Sequence, residues 1–220
     1  THHPPKDYKG PKADRIKIYV DPDNDGTPEQ RSIFAEGIHQ GMNLAFSPAG
    51  TLYVVCAREV LALPDQDRDG NCDGIEKILT LDTEQRYAHN SLLGITFDRD
   101  GWLYIARGNT GSDAWAVEGK DGSEISGYGD GGNVFRCRPD GTQISEMATG
   151  FWNPFNLKFD MDGRLLLVDN DPDARGPNRL VHVVQHGDVR SHRLPTHKSS
   201  HGISHQRSGH DLERELRRAL

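Results

Sequence analysis

Residues Asp65 to Glu76 read D-Q-D-R-D-G-N-C-D-G-I-E, which sets carboxylates at positions 1, 3, 5, 9 and 12 of a twelve-residue loop with Gly70 at position 6. This spacing is suited to a divalent cation, since Ca²⁺ takes about six to eight oxygens at roughly 2.3–2.6 Å. Asp65, Asp67, Asp69 and Asp73 offer side-chain oxygens, Asn71 a carbonyl, and Glu76 two oxygens to close the sphere. Gly70 permits the sharp turn. An earlier stretch from Asp21 to Ser32, D-P-D-N-D-G-T-P-E-Q-R-S, repeats the first six positions through Asp21, Asp23 and Asp25. It carries Ser32 where the closing glutamate is expected, so its sphere reads as incomplete. The competing reading of both is an acidic, solvated turn, because Asp and Gly are ordinary turn residues.

The flanks of these loops are strands rather than the helices of an EF-hand. Ile16–Val20 and Glu59–Leu63 lead in, Ser32–Phe34 and Lys77–Leu81 lead out, and all are short β-branched or apolar runs with partial alternation. The loops are therefore expected to join the strands of hairpins. A longer phrase recurs three times, as Asn43–Tyr53, Gly94–Tyr104 and Asn156–Leu166. Each copy is an apolar strand ending in Phe46, Phe97 or Phe159, a turn ending in Gly50, Gly101 or Gly163, and a second strand. The phenylalanines lie 51 and 62 residues apart, room for a four-stranded sheet and its loops. Radial repetition of such sheets is a β-propeller. The fold class is thus all-β, a partial propeller of three to four four-stranded blades over residues 1–188. Residues 189–220 read as a basic, His-rich tail, disordered or weakly helical.

Composition narrows the classes. A net charge of −7 excludes a nucleic-acid binder on charge grounds, and the mean hydropathy of −0.72 describes a polar chain. No apolar run approaches the ~18 residues of a membrane span. Three widely spaced cysteines, Cys56, Cys72 and Cys137, offer neither a disulfide framework nor a haem-attachment motif. Loops that bind Ca²⁺ weakly suit the millimolar calcium found outside the cytoplasm, which favours a periplasmic or extracellular protein.

Four segments are placed where propeller loops converge: Ala88-His89-Asn90, Gly108-Asn109-Thr110-Gly111, Phe151-Trp152-Asn153-Pro154, and Asp169-Asn170-Asp171-Pro172-Asp173. A histidine at the mouth of an axial pocket can act as a general base near neutral pH, or be a loop residue satisfied by carbonyls. The loop from Arg107 to Asn133 is long enough for a lid, and its Trp115 and Tyr128 are placed to stack on sugar rings.

The succession H-N, L-x-I-x-F-D-x-D-G-x-L-Y, G-N-T-G, N-P-F-x-L-x-F-D-x-D-G-x-L and D-N-D-P-D resembles the glucose/sorbosone dehydrogenase propellers. It is most similar to the membrane-bound dehydrogenase domain of planctomycetes and verrucomicrobia, from about Pro4 to Asp188. The resemblance implies an exported six-bladed propeller, of which this chain holds part. It implies Ca²⁺ and pyrroloquinoline quinone (PQQ) as cofactors, a sugar or other alcohol as substrate, and a cytochrome c as electron acceptor. His89 matches the base that takes the hydroxyl proton, and Asn90 follows it as in the family motif. Asn109 stands where relatives carry the aspartate that orients the histidine. Trp152 stands where relatives carry an arginine that contacts the quinone, and Asn153 is retained. Asp171 and Pro172 match the pair that holds the catalytic Ca²⁺. The alternative function is a non-catalytic, calcium-stabilised propeller that binds carbohydrate or protein. A weaker one is a propeller lactonase.

Overall fold

The computed structural model describes residues 7–85, 91–109, 113–129, 131–170 and 178–189. Strands account for its regular structure, and no helix occurs among the described residues. In chain order they are β1 (Asp14–Val20), β2 (Gln30–Ile38), β3 (Gly41–Phe46), β4 (Leu52–Cys56), β5 (Glu59–Leu63), β6 (Glu76–Asp82), β7 (Leu92–Phe97) and β8 (Leu103–Arg107). They continue as β9 (Ala114–Glu118), β10 (Glu124–Tyr128), β11 (Gly132–Cys137), β12 (Ser145–Phe151), β13 (Asn153–Phe159), β14 (Leu165–Asn170), β15 (Arg179–Val183) and β16 (Gly187–Asp188).

One turn is used five times to fold these strands into hairpins. Gly50 N–H donates to Ser47 O while Ser47 N–H donates to Thr51 O, and the same pair of bonds recurs at Asp98–Trp102, Gly119–Ser123, Arg138–Thr142 and Asp160–Arg164. The glycine before the last residue always has φ between 78° and 92°, a left-handed conformation that glycine takes without a Cβ penalty. This is the three-residue hairpin loop, a type I turn followed by a left-handed residue.

The strands assemble into sheets that run β3-β4-β5-β6, β7-β8-β11-β12 and β13-β14-β15, three blades (I, II and III) placed face to face, with β1-β2 as a separate pair. Blade I packs on blade II through a core containing Tyr53, Val55, Ile95, Ile105 and Phe135. Blade II packs on blade III through Tyr104, Ala106, Val134, Leu157 and Leu167. The hairpin β1-β2 covers the opposite face of blade I through Phe34, Ala35 and Ile38. This explains the weak alternation of Leu52–Cys56 and Leu103–Arg107: both faces of β4 and β8 are covered, and all five residues of each are buried. Strand β14 has one open face and alternates. The inner strands β7 and β13 approach so closely that a Cβ on Gly94 would lie 2.6 Å from Leu157 Cδ2 and 3.2 Å from Asn156 Cα. The chain is an all-β partial propeller.

Two expectations need correction. The blades are not uniformly four-stranded: blade I gains β9 and β10 beyond β6, and blade II gains β16, parallel to β12. The segment Arg107–Asn133, expected as a long loop, carries a hairpin of β9 and β10 that pairs with β6, Leu81 opposite Val117. Part of its glycine, aspartate and serine forms the Gly119–Ser123 turn between β9 and β10. The tail beyond Val189 lies outside the described residues.

Candidate functional site

The two acidic loops close hairpins β1-β2 and β5-β6, and they fold alike. Asp21 Oδ1 accepts from Asp25 N–H at 3.2 Å and its Oδ2 from Gly26 N–H at 2.8 Å. Asp65 does the same for Asp69 N–H at 3.1 Å and Gly70 N–H at 3.2 Å. Asp23 and Asp67 accept from the same Asp25 and Asp69 N–H groups, each at 3.2 Å. Asn24 and Arg68 both have φ of 59°, and the glycines that end these tight turns also have positive φ. Oxygens of Asp21, Asp23, Asp25 and Glu29 lie within 4.8 Å of one another, as do those of Asp65, Asp67 and Asp73. Carboxylates this close repel unless a cation or protons intervene. Both clusters are arrangements of oxygen donors that a metal ion can join.

The twelfth position lies on a strand. Glu76 is the first residue of β6 and forms an ion pair with Lys120 from the β9-β10 hairpin. Glu76 is not among the group formed by Asp65, Asp67 and Asp73. Ser32 is likewise inside β2. The absence of a glutamate there therefore does not make the first loop the poorer one, and its group of four carboxylates is the larger. Sequence reasoning misses Glu29, although it holds the same ninth position as Asp73 and the spacing alone could have found it. Asp69 accepts from Asn71 N–H at 2.7 Å and is not in the second group. Cys72 N–H donates to Phe34 O at 2.9 Å, tying the second loop to β2.

A second constellation lies where β7, β8, β13 and β14 begin or end. Gly108 N–H donates to Ser91 O and Asn109 N–H to Trp152 O, each at 2.9 Å. Trp152 N–H and Asn153 N–H donate to Asp169 Oδ1 at 3.0 and 2.8 Å. Asp169 has no exposed surface and forms an ion pair with Arg179. Segments far apart in sequence are thus joined end to end. His89, Asn90, Asp171 and Pro172 lie outside the described residues. Of their neighbours, Ser91 is part of this cluster and Asn170 is the last residue of β14.

Arg107 supports the same place from below. It is 1% exposed, and its guanidinium donates to Asn133 Oδ1 at 2.9 Å, Gly108 O at 2.9 Å and Gly131 O at 2.7 Å. Its Cζ sits 3.7 Å from the centre of the Trp115 ring, a cation–π contact. Trp115 is therefore buried, and the expectation that it stacks on a sugar is corrected. Tyr128 is 70% exposed. Asp169 opens the D-N-D-P-D motif, but its role, like those of Arg107 and Arg179, depends on contacts between distant segments.

Blades repeated around inner strands, acidic hairpin loops and a cluster of loop residues at one end define a β-propeller with candidate cation sites. The chain belongs to the family described as "Domain of unknown function (DUF7133)", whose model matches residues 2–216. No curated protein matches it. Among solved structures it is similar to a candidate gluconolactonase, at 22% identity over 72% of this chain and 56% of that one, with a TM-score of 0.43. It is also similar to the PQQ-bound aldose sugar dehydrogenase of Streptomyces coelicolor, at 13% identity, 81% and 67% coverage and a TM-score of 0.37. A candidate glucose dehydrogenase-type oxidoreductase of Thermus thermophilus gives 16% identity, 69% and 64% coverage and a TM-score of 0.35. The chain spans 56% of the length of the first of these structures and 64% of the last. The propeller assignment rests on the blade geometry itself.

Proposed function

We propose that the chain is part of an exported, calcium-binding propeller dehydrogenase that oxidises a sugar or other alcohol, with His89 as the base for the hydroxyl proton. The supporting observation is the hydrogen-bond chain from Ser91 through Gly108–Asn109 and Trp152–Asn153 to Asp169. It joins the flanks of every motif on which the dehydrogenase resemblance rests. A periplasmic location and a cytochrome c acceptor belong to the same proposal. Calcium is the cation that clustered carboxylates with turn glycines favour. In this reading it staples the β1-β2 and β5-β6 hairpins and takes no part in the reaction, whose own metal would lie nearer His89 and Asp171.

The described residues do not fit an anionic quinone. Trp152 stands where a guanidinium is expected. Among the described residues, the two arginines at this end are engaged, Arg107 by Gly108, Gly131, Asn133 and Trp115, and Arg179 by Asp169. Charge-assisted hydrogen bonds of this kind are worth about 1.5–3 kcal/mol each, so their loss weakens quinone binding steeply. Asn109 can accept from an imidazole N–H but cannot stabilise imidazolium by charge, which lowers the strength of a histidine base.

The deciding experiment titrates the full-length protein with PQQ in the presence of Ca²⁺, followed by absorbance, and then assays dye reduction with a panel of sugars. The dehydrogenase reading requires saturable, if weakened, binding and a turnover abolished in His89→Ala. No quinone binding would sink the dehydrogenase reading. It would leave the second, a non-catalytic calcium-stabilised propeller that binds carbohydrate or protein, which the tryptophan at position 152 favours.

A further inference from the structure

Three hydrogen bonds at the junction of blades II and III run head to tail. Arg107 Nη1 donates to Gly108 O at 2.9 Å. The same peptide group carries the Asn109 N–H, which donates to Trp152 O at 2.9 Å. The peptide group of that oxygen carries the Asn153 N–H, which donates to Asp169 Oδ1 at 2.8 Å. A guanidinium on β8 and a carboxylate on β14 are thus linked by two peptide groups, 108–109 and 152–153. Each turns its oxygen toward the cation and its N–H toward the anion.

A second arm leaves Arg107 in the same sense. Its Nε donates to Asn133 Oδ1 at 2.9 Å, and Asn133 Nδ2 donates to Glu146 Oε2 at 2.7 Å. The surroundings of both arms keep water out. Arg107, Asn133, Asn153 and Asp169 are all buried, and Trp115 covers the guanidinium. The β11 backbone lies so close that a Cβ on Gly132 would be 2.5 Å from Arg107 O and 3.3 Å from the Gly108 carbonyl carbon. Hydrogen bonds in series polarise one another, by about 10–30% per bond, and a low local dielectric preserves the effect.

We infer that Arg107 and Asp169 are positioning residues that act on one another through these two peptide groups, so that the charge at each end sets how firmly Asn109 and Asn153 are held at the candidate site. Two neighbouring amides mark the limits of the effect. Trp152 N–H also donates to Asp169, and Gly108 N–H donates to Ser91 O. The peptide groups that carry them, 151–152 and 107–108, are not in the series. In the dehydrogenase reading Asn109 accepts from the imidazole of His89, and the relay then positions the base. That consequence rests on the reading, whereas the coupling of Arg107 to Asp169 does not.

Amide-proton NMR of the native full-length protein, isotope-labelled at its asparagines, glycines and tryptophans, tests the coupling. In Arg107→Gln the Asn153 amide proton, two peptide groups along the series, is expected to move upfield and to exchange with solvent about two- to tenfold faster. The Trp152 amide beside it should keep its shift. In Asp169→Asn the Asn109 amide is expected to move upfield while Gly108 does not, which supplies the same answer should Arg107→Gln fail to fold. Trp152 and Asn153 moving together in the first variant, or Gly108 and Asn109 together in the second, would show loosened packing alone and overturn the inference. An unmoved Asn153 or Asn109 would overturn it as well. The readout is an amide and not a turnover, so a protein without dehydrogenase activity would still show the coupling.

Discussion

Asp169 is the residue whose removal should be felt most at the candidate site. Its buried carboxylate accepts from two successive backbone N–H groups, those of Trp152 and Asn153, and neutralises Arg179. Asp169→Ala leaves two buried donors and a cation without their acceptor. Breaking a buried pair from one side costs about 3–5 kcal/mol, so a large fall in the urea midpoint with little change in slope is expected. Asp169→Asn keeps one acceptor oxygen and loses the charge, and its cost should be smaller, about 1–3 kcal/mol. A loss below about 0.5 kcal/mol in the alanine variant would mean that Arg107 alone holds these segments. The sequence made Trp152 and Asn153 legible, since they sit in a motif. It left Asp169 as one acidic residue among several in D-N-D-P-D, because what distinguishes it is burial and a bond to the Asn153 N–H sixteen residues away.

At the scale of the element, the turn formed by the first six positions of each acidic loop was legible, whereas the strand position of the twelfth residue was not. The closely spaced aspartates and the glycine form a local turn, and local hydrogen bonds reproduce it at both sites. The twelfth residue falls on a strand, where pleat and neighbours decide its direction, and Lys120 reaches Glu76 from a hairpin 44 residues away. The first loop is therefore expected to bind Ca²⁺ at least as well as the second. Adding Ca²⁺ at about a hundred times Kd should stabilise the fold by about 2.7 kcal/mol per site that unfolding releases. Asp23→Ala and Asp67→Ala should each lose part of this calcium-dependent rise in Tm, while Glu76→Gln should retain it. Equal melting of the wild type in calcium and in chelator would show that both loops are merely acidic turns. A calcium response lost in Glu76→Gln would restore the twelfth residue as a ligand.

At the scale of the whole molecule, the blades hold one another's edges. The hairpin β9-β10 lies in sequence between two strands of blade II yet pairs with β6 of blade I, and it covers an edge that would otherwise offer unpaired backbone groups. Its turn is visible in the sequence, but its partner is not, because an edge pairing leaves no local signature. Trp115 anchors its base over Arg107, and Asp121 anchors its tip. The Asp121 carboxylate accepts from the Ser123 hydroxyl at 2.6 Å and from Gln143 N–H at 2.9 Å, so the tip is bonded to the turn between β11 and β12. These bonds, the Ser123 hydroxyl first and the Gln143 and Ser123 N–H groups after it, hold the Asp121 pKa down at about 2. A depressed carboxylate pKa contributes stability that is complete above the ordinary range near 4 and is lost as pH falls toward 2. Asp160 is also lowered, chiefly by the Arg164 N–H, and its acid loss is common to wild type and variant. The difference in Tm between wild type and Asp121→Asn therefore isolates the hairpin tip. It should be constant from pH 7 to about 5, shrink between about 4 and 2, and vanish near 2, with both proteins showing the same protease sensitivity between β8 and β11 once it has gone. A difference that does not change with pH would mean that the Asp121→Asn substitution disturbs the turn itself, and that the hairpin is held to blade I by its β6 pairing and Trp115 alone.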